Sequence, residues 1–503
     1  MPSIVIFSHS LPTGVSATRS RTALSLALLL AWWILTTPQS GSYLLSGEQK
    51  LNVVFIISDD LGSQSLGCYG NRQCRSPNID ALAAQGTRFT HTYTQYPVCG
   101  PSRAALMSGM YAQAIGVRGN GESSKFTQNL GSRPSMTQHF MQHGYHASRV
   151  SKIYHMRVPG DITAGVNGPD HAASWTDRFN CKAPEQWTRG LHQHLTNEKL
   201  KPDPQQNIHY QLGYGGAFYV VRGESDGAEQ ADHIAAAKAV DILELRAKDK
   251  KPFFLAVGLV RPHVPLVAPK KFFDRYDAEA LTLPRLIEGD WDDIPAAGIS
   301  KNSKKSGLNT EAKAKKVLEA YYASVTYMDE QVGKIVSAVN RLGLRENTII
   351  VFTADHGYHL GEHQFWQKMS LHEESTRIPL IISVPGKAPN KTTSLSQQID
   401  IYPTLAQLCG LAVPNHVQGK SLARMLDHPK HREHDEVYCL RGKNDHLLRT
   451  RRWALIRYGK GGVELYDMES DPQQITNLAT QPKHRNKLDE LTARLEAKLK
   501  SIE

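Results

Sequence analysis

Four apolar runs rich in β-branched residues set the rhythm of this chain. Leu51-Asn52-Val53-Val54-Phe55-Ile56-Ile57 ends in Ser58-Asp59-Asp60, and Thr348-Ile349-Ile350-Val351-Phe352-Thr353 ends in Ala354-Asp355-His356-Gly357. Pro252 to Val260 ends in Arg261-Pro262-His263, and Arg377 to Val384 ends in Pro385-Gly386. Runs of this length without polar alternation read as strands buried on both faces, as in a parallel sheet. Helical patterns separate them: Pro77 to Ala84, with Asn78 as its expected cap, and Leu318 to Leu342, closed by Gly343. The alternation predicts an α/β fold with a large, mostly parallel (mixed) sheet sandwiched by helices. Ligands of such sheets bind beyond the carboxyl ends of the strands. Three of the four runs place charged residues or histidine there.

The pattern changes towards both ends. After Gly410, Glu436–Leu440, Trp453–Tyr458 and Val463–Asp467 read as short strands and Lys483–Lys500 as a charged amphipathic helix, together a smaller α+β domain. Between Ile287 and Lys316, Lys301, Lys304, Lys305, Lys313, Lys315 and Lys316 mark a solvated surface insertion. At the start, Arg19 and Arg21 precede an apolar run from Ala23 to Leu35 and then small polar residues, the layout of a secretory signal. The run is short for a membrane span, so an uncleaved anchor is the alternative. The expected organisation is a signal over 1–48, a catalytic α/β domain over 49–425 and the small domain over 426–503, in an exported protein.

The net charge of +11 points to acidic partners. With no helix-turn-helix, zinc-finger or RNA-binding pattern, nucleic acid is not the expected one. The six cysteines (Cys68, Cys74, Cys99, Cys181, Cys409 and Cys439) show no Cys-x-x-Cys zinc spacing, and only Cys68 and Cys74 are close enough in sequence to suggest a bridge.

Candidate chemistry gathers around Cys99-Gly100-Pro101-Ser102-Arg103. Pro101 suits a first helical turn, which puts Cys99 at a helix mouth, where free N–H groups favour an anion, with Arg103 one turn further in. A lone cysteine there is more simply a buried thiol. Asp59, Asp60 and Asp355 are carboxylates at two strand ends, and their approach is costly unless a cation or proton intervenes. Any one of them could be a helix cap. Together, without a thiolate cluster, they suit a hard cation, calcium before magnesium. His356, His359 and His363 do not predict zinc, because Gly357 and Gly361 interrupt regular helical spacing.

Cys99-Gly100-Pro101-Ser102-Arg103 resembles the Cys-x-Pro-x-Arg signature of the type I sulfatases, in the alkaline phosphatase superfamily. Asp59-Asp60-Leu61-Gly62, Gly67-Cys68-Tyr69-Gly70-Asn71, Ser76-Pro77-Asn78-Ile79-Asp80, Asp355-His356-Gly357, Ile399–Leu405 and Leu465–Pro472 occur in that family's order. The resemblance implies that a formylglycine-generating enzyme oxidises Cys99 to formylglycine, whose hydrate is the nucleophile. It implies a calcium ion held by Asp59, Asp60, Asp355 and His356 with residue 99. Many relatives carry Asn at the position of His356. It further implies that Arg103 holds the hydrate, that Lys152 and Lys368 bind sulfate, and that His155 stands near residue 99. His263 matches the acid to the leaving oxygen. Gly357 to His363, with Trp366 and Lys368, is most similar to iduronate-2-sulfatase, implying a sulfated sugar or polysaccharide substrate. Choline-sulfatases share the Leu-Gly-Glu and Trp-x-Lys frame, and phosphodiesterases or phosphonate monoester hydrolases of the superfamily are a further alternative. A non-catalytic carbohydrate-binding relative is the rival from another class.

Overall fold

The computed structural model describes residues 50–196, 218–300 and 306–502. The signal or anchor expected over 1–48 lies outside the described residues, and among them no helix is long and apolar enough to cross a membrane.

The central sheet contains β1 (Asn52–Asp59), β2 (Thr87–Tyr93), β3 (His146–Ser151), β4 (Asp177–Phe179), β5 (Phe253–Pro262), β6 (Thr348–Ala354), β7 (Arg377–Ser383) and β8 (Asn390–Gln397). Their order across it is β8-β2-β7-β6-β1-β5-β3-β4. All four apolar runs are strands. β1 lies parallel to β5 and β6, with Phe55 opposite Ala256 and Val351. β7 runs antiparallel to both β2 and β6, which makes the sheet mixed. Pro379, with no N–H to give, sits where the pairing of β7 with β2 skips between Ile378 and Leu380.

Helices α1 (Pro77–Ala83), α2 (Cys99–Ser108), α3 (Ala231–Asp249) and α4 (Glu311–Arg341) cover the sheet. The strand period of two divides β1 between two cores. Val54 and Ile56 pack with α3 and α4, whereas Val53, Phe55 and Ile57 share a core with Ala104, Leu106 and Met107 of α2.

Two expectations about helix ends are corrected. Asn78 is not the cap of α1: Ser76 occupies that position and Pro77 the first turn. Asp329 of α4 supplies the acceptor instead, taking the N–H groups of Asn78 (3.1 Å) and Ile79 (2.8 Å). Helix α4 begins at Glu311 rather than Leu318, because Thr310 caps it by accepting the Lys313 N–H at 3.3 Å. Lys313, Lys315 and Lys316 are therefore helical. The insertion before them is only partly solvated: Asp290, Ile294 and Ser300 are buried.

The small sheet is an antiparallel meander of β9 (Glu436–Arg441), β10 (Asp445–Thr450), β11 (Trp453–Arg457) and β12 (Val463–Asp467), followed by α5 (Arg485–Ile502). Its Tyr438, Leu440, Leu448, Leu455 and Leu465 form one core with Leu491 and Leu495 of α5 and with Tyr96, Val98 and Ala105. The small sheet thus backs the helix that begins at Cys99. All six cysteines are free thiols, Cys68 and Cys74 included. The loop between those two is closed by Asn71 Oδ1, which accepts the Gln73 and Cys74 N–H groups at 2.8 and 2.7 Å.

His359 and His363 are structural. His359 Nε2 lies 2.7 Å from Ser370 Oγ, and His363 Nδ1 lies 3.1 Å from Asp290 Oδ2 of the insertion. Burial opposes the charge on His363, but Asp290, Glu374 and Glu464 outweigh it and raise its pKa to about 9. A raised folded pKa stabilises fully below the unfolded value near 6.5 and is lost as pH rises through 9. Urea unfolding at pH 6.5 and 9.5 should show wild type losing about 2–3 kcal/mol more than His363→Gln. Equal losses would contradict the pair.

Candidate active site

Strands β1 and β6 are parallel neighbours with Ser58 opposite Ala354, so Asp59-Asp60 and Asp355-His356 leave the sheet side by side. Helix α2 points its first residue, Cys99, at the same edge. The ligand atoms of Asp59, Asp60, Cys99 and His356 lie within 4.8 Å of one another, and all four residues are buried. Asp355 adjoins them. Its Oδ1 accepts the N–H groups of Asp60 (3.2 Å) and His356 (3.0 Å), and lies 3.7 Å from His356 Nε2.

His356 is oriented by its other nitrogen. Nδ1 is 2.9 Å from the Gly357 carbonyl, which can only accept, so Nδ1 carries the proton. Nε2 lies 3.3 Å from both Asp60 Oδ1 and Cys99 Sγ. Asp60 has φ of 63°, a left-handed conformation costing about 1–3 kcal/mol for a residue with a side chain. Tyr321 of α4 holds that peptide: its hydroxyl donates to the Asp60 carbonyl at 2.7 Å and accepts the Gly62 N–H at 3.3 Å.

Three cations answer the three carboxylates. Arg103 is fully buried and spreads its fork over both strand ends, Nε to Asp355 (2.9 Å) and Nη2 to Asp59 (3.2 Å). Its Nη1 donates to the carbonyls of Lys152 and Ile153. Lys152 Nζ pairs with Asp59. Lys368 Nζ bonds both oxygens of Asp60, at 2.5 and 2.8 Å, and lies 3.5 Å from Cys99 Sγ. Burial pushes the Asp59 and Asp60 carboxyls up, but the neighbouring cations outweigh it. Lys152, His263 and Arg103 hold Asp59 well below the usual range, and His263, Lys368 and His356 lower Asp60. At Asp355 burial wins and the shift is upward. Burial and Asp59 raise the Cys99 thiol well above its ordinary value, so the sulfur is protonated and a poor nucleophile.

The donor set fits a hard cation. Carboxylate oxygens of Asp59 and Asp60 converge with a ring nitrogen of His356 and the Cys99 sulfur, and Asp355 stands beside them with Oδ1 accepting two backbone N–H groups.

Two histidines complete the edge. His263 follows β5, its Nε2 3.8 Å from Asp60 Oδ2 and its Nδ1 2.5 Å from the Val264 carbonyl; burial pushes it down to about 3. His155 is buried and held well below its ordinary value by desolvation and then by Lys152. Its Nδ1 has no partner among the described residues.

Several supporting residues escape sequence reasoning. Asp232 of α3 accepts the N–H groups of Val260 (2.6 Å) and Arg261 (3.0 Å). Arg261 donates to the His263 carbonyl at 2.8 Å and pairs with fully buried Glu185. Gly258 lets β5 pass Lys152, whose carbonyl would stand 1.9 Å from any Cβ there. Ser102 donates to the Asp355 carbonyl at 2.5 Å, bracing α2 against β6. Ser102 and Arg261 stand inside motifs that the sequence shows, without a role attached to either. The others are ordinary residues whose role comes from tertiary contact.

Comparison with known proteins gives the family. The family model described as "Sulfatase" matches residues 51–411, and "N-sulphoglucosamine sulphohydrolase, C-terminal" matches 361–501. A sulfatase of Formosa agariphila is 32% identical over 466 residues, covering 89% of this chain and 86% of its own. Iduronate 2-sulfatase of Mus musculus is 31% identical over 433 residues, covering 78% and 74%. The solved phosphonate monoester hydrolase of Agrobacterium radiobacter superposes with a TM-score of 0.72 at 21% identity over 90% of this chain and 96% of its own, a likeness of fold alone. With its family model spanning most of the chain and its relatives over nearly all of it, this protein belongs to the sulfatase family and is a sulfuric ester hydrolase.

Proposed function

We propose that this sulfatase removes a sulfate ester from a sugar of an acidic polysaccharide, in an exported protein whose Cys99 has been converted to formylglycine by a separate maturing enzyme. The observation that carries the reading is the meeting, at one strand-end edge, of Cys99 with three carboxylates and three buried or half-buried cations. The sugar is supported by the similarity to iduronate 2-sulfatase and, more weakly, by the net charge of +11.

Asp59, Asp60, Asp355 and His356 would hold calcium, which would draw the sulfate's charge into the site. Formylglycine would supply one hydroxyl to attack sulfur and a second whose deprotonation frees the product. Arg103, already fixed between Asp59 and Asp355, keeps residue 99 in place. Lys152 and Lys368 give donors to sulfate oxygens, in a dry site where such charges act strongly. His155, kept neutral by burial and with Nδ1 unpartnered among the described residues, would take a proton near residue 99. His263 would give a proton from Nε2 to the leaving alcohol in its imidazolium form, which the negative charge of a bound sulfate favours. Its aim depends on Arg261, which Asp232 and Glu185 fix in turn.

The peptide carrying residue 99 should have the mass of an aldehyde rather than a thiol, and Cys99→Ala should fold yet release no sulfate. Sulfate release by Cys99→Ala would reject the mechanism. An aryl sulfate should be turned over far faster than an aryl phosphonate; the reverse order would move the protein to phosphorus chemistry. Stripping calcium should abolish turnover and its return restore it.

The acid role separates substrates by leaving group. A sugar alkoxide needs a proton and a nitrophenolate does not, so His263→Ala should cost about 10²–10⁴-fold on a sugar sulfate and little on 4-nitrophenyl sulfate. Glu185→Gln, which keeps a hydrogen bond to Arg261, should show a weaker form of the same split. Equal losses on both substrates would assign these residues to stability alone.

A further inference from the structure

A cavity of about 910 Å³ opens between the small sheet and the insertion, lined by Ala297, Ser300, Met369, Arg441, Lys443 and Lys460 among others. It lies within the usual size range of small-molecule sites. Its walls are braced by one side chain. Arg441 donates to the Met369 carbonyl (3.1 Å) and the Ala297 carbonyl (2.6 Å), pairs with Asp445 (2.9 Å), and lies 5.1 Å from the centre of the Tyr458 ring. Asp445 in turn accepts the Gly459 N–H at 3.0 Å, joining the β9–β10 turn to the β11–β12 turn. The Gly442 N–H donates to the Tyr96 hydroxyl at 2.7 Å. The cavity wall is thus bonded to the two segments that deliver the site's own groups, Met369 next to Lys368 and Tyr96 just before Cys99.

The charges in this cavity do not balance. Arg441 and Asp445 neutralise each other. Lys443 and Lys460, one on each turn, are exposed and have no hydrogen bond or ion pair among the described residues. Two unpaired cations on braced turns, above a floor of Ala296, Ala297, Ile299 and Met369, suit a sugar unit carrying its own anionic group.

We propose that this cavity is a second subsite that binds a neighbouring anionic sugar of the substrate through Lys443 and Lys460, selecting acidic oligosaccharides over single sulfated sugars. The inference rests on the sulfated-sugar reading above. The anionic group is a sulfate or a uronate carboxylate, which share the chemistry that the lysines recognise.

The test compares the matured enzyme with Lys443→Gln/Lys460→Gln on two substrates, a monosulfated monosaccharide and an oligosaccharide bearing the same scissile sulfate beside further anionic sugars. On the oligosaccharide the double variant should raise KM roughly tenfold at unchanged kcat, and added salt should shrink the difference. Kinetics on the monosaccharide should be unchanged. An oligosaccharide whose neighbouring sugars carry only uronate, set beside one carrying only sulfate, identifies which anion the lysines read. Calorimetric binding of both oligosaccharides to Cys99→Ala, with and without the two lysine changes, repeats the comparison without turnover. Equal affinities there, or an unchanged KM, would overturn the subsite while leaving sulfate release intact. Absence of sulfate release from any sugar sulfate by the matured wild type would instead overturn the substrate reading, with the calorimetric comparison still deciding the subsite.

Discussion

Everything at the strand-end edge depends on keeping three carboxylates together without water. Each buried charge costs several kcal/mol unless it is paired and hydrogen-bonded. Arg103 meets that demand for two of them at once, because its planar fork spans Asp59 on β1 and Asp355 after β6 while its remaining nitrogen is used on the chain after β3. A lysine in its place could not hold three segments. The one guanidinium therefore fixes how helix α2 enters the sheet edge, and with it where residue 99 stands.

The two faces of the sheet contribute differently. Helix α2, backed by the small sheet through Tyr96, Val98 and Leu440, brings residue 99 and Arg103 from one side. From the other, α4 supplies Tyr321 to hold the left-handed peptide of Asp60, and α3 supplies Asp232 to fix the end of β5. The strain at Asp60 persists because the long helix is anchored far from the site, at Asp329 against α1 and along its buried face. Loosening any one layer would be felt at the site.

What was legible in the sequence follows from burial. The central strands β1, β5 and β6 are buried throughout and show as unbroken apolar runs, so the charged residues after them could be placed at one edge. Strands β2 and β8 carry mixed sequences, Thr-Arg-Phe-Thr-His-Thr-Tyr and Asn-Lys-Thr-Thr-Ser-Leu-Ser-Gln, and gave no periodic signal. β3 reads His-Ala-Ser-Arg-Val-Ser, so Lys152 at its end came only from resemblance. The polar insertion reads as solvated because sequence shows charge and not partners: Asp290 is buried against His363. The same blindness hid Glu185 and Asp232, acids whose meaning comes entirely from Arg261. A cap supplied by a distant helix, as Asp329 supplies α1, leaves no local mark.

The chemistry of position 99 is sharpened by its surroundings. Burial and Asp59 keep the thiol protonated, which makes the sulfur a poor nucleophile. Three carboxylates beside it select a hard cation, for which sulfur is a poor partner. As a cysteine, residue 99 is therefore mismatched with its neighbours on two separate grounds. An oxygen-bearing residue at the same place removes both, since hydroxyl oxygen suits a hard cation and can give its proton to a neutral imidazole such as His155. The mismatch supports the conversion proposed above on grounds separate from any relative.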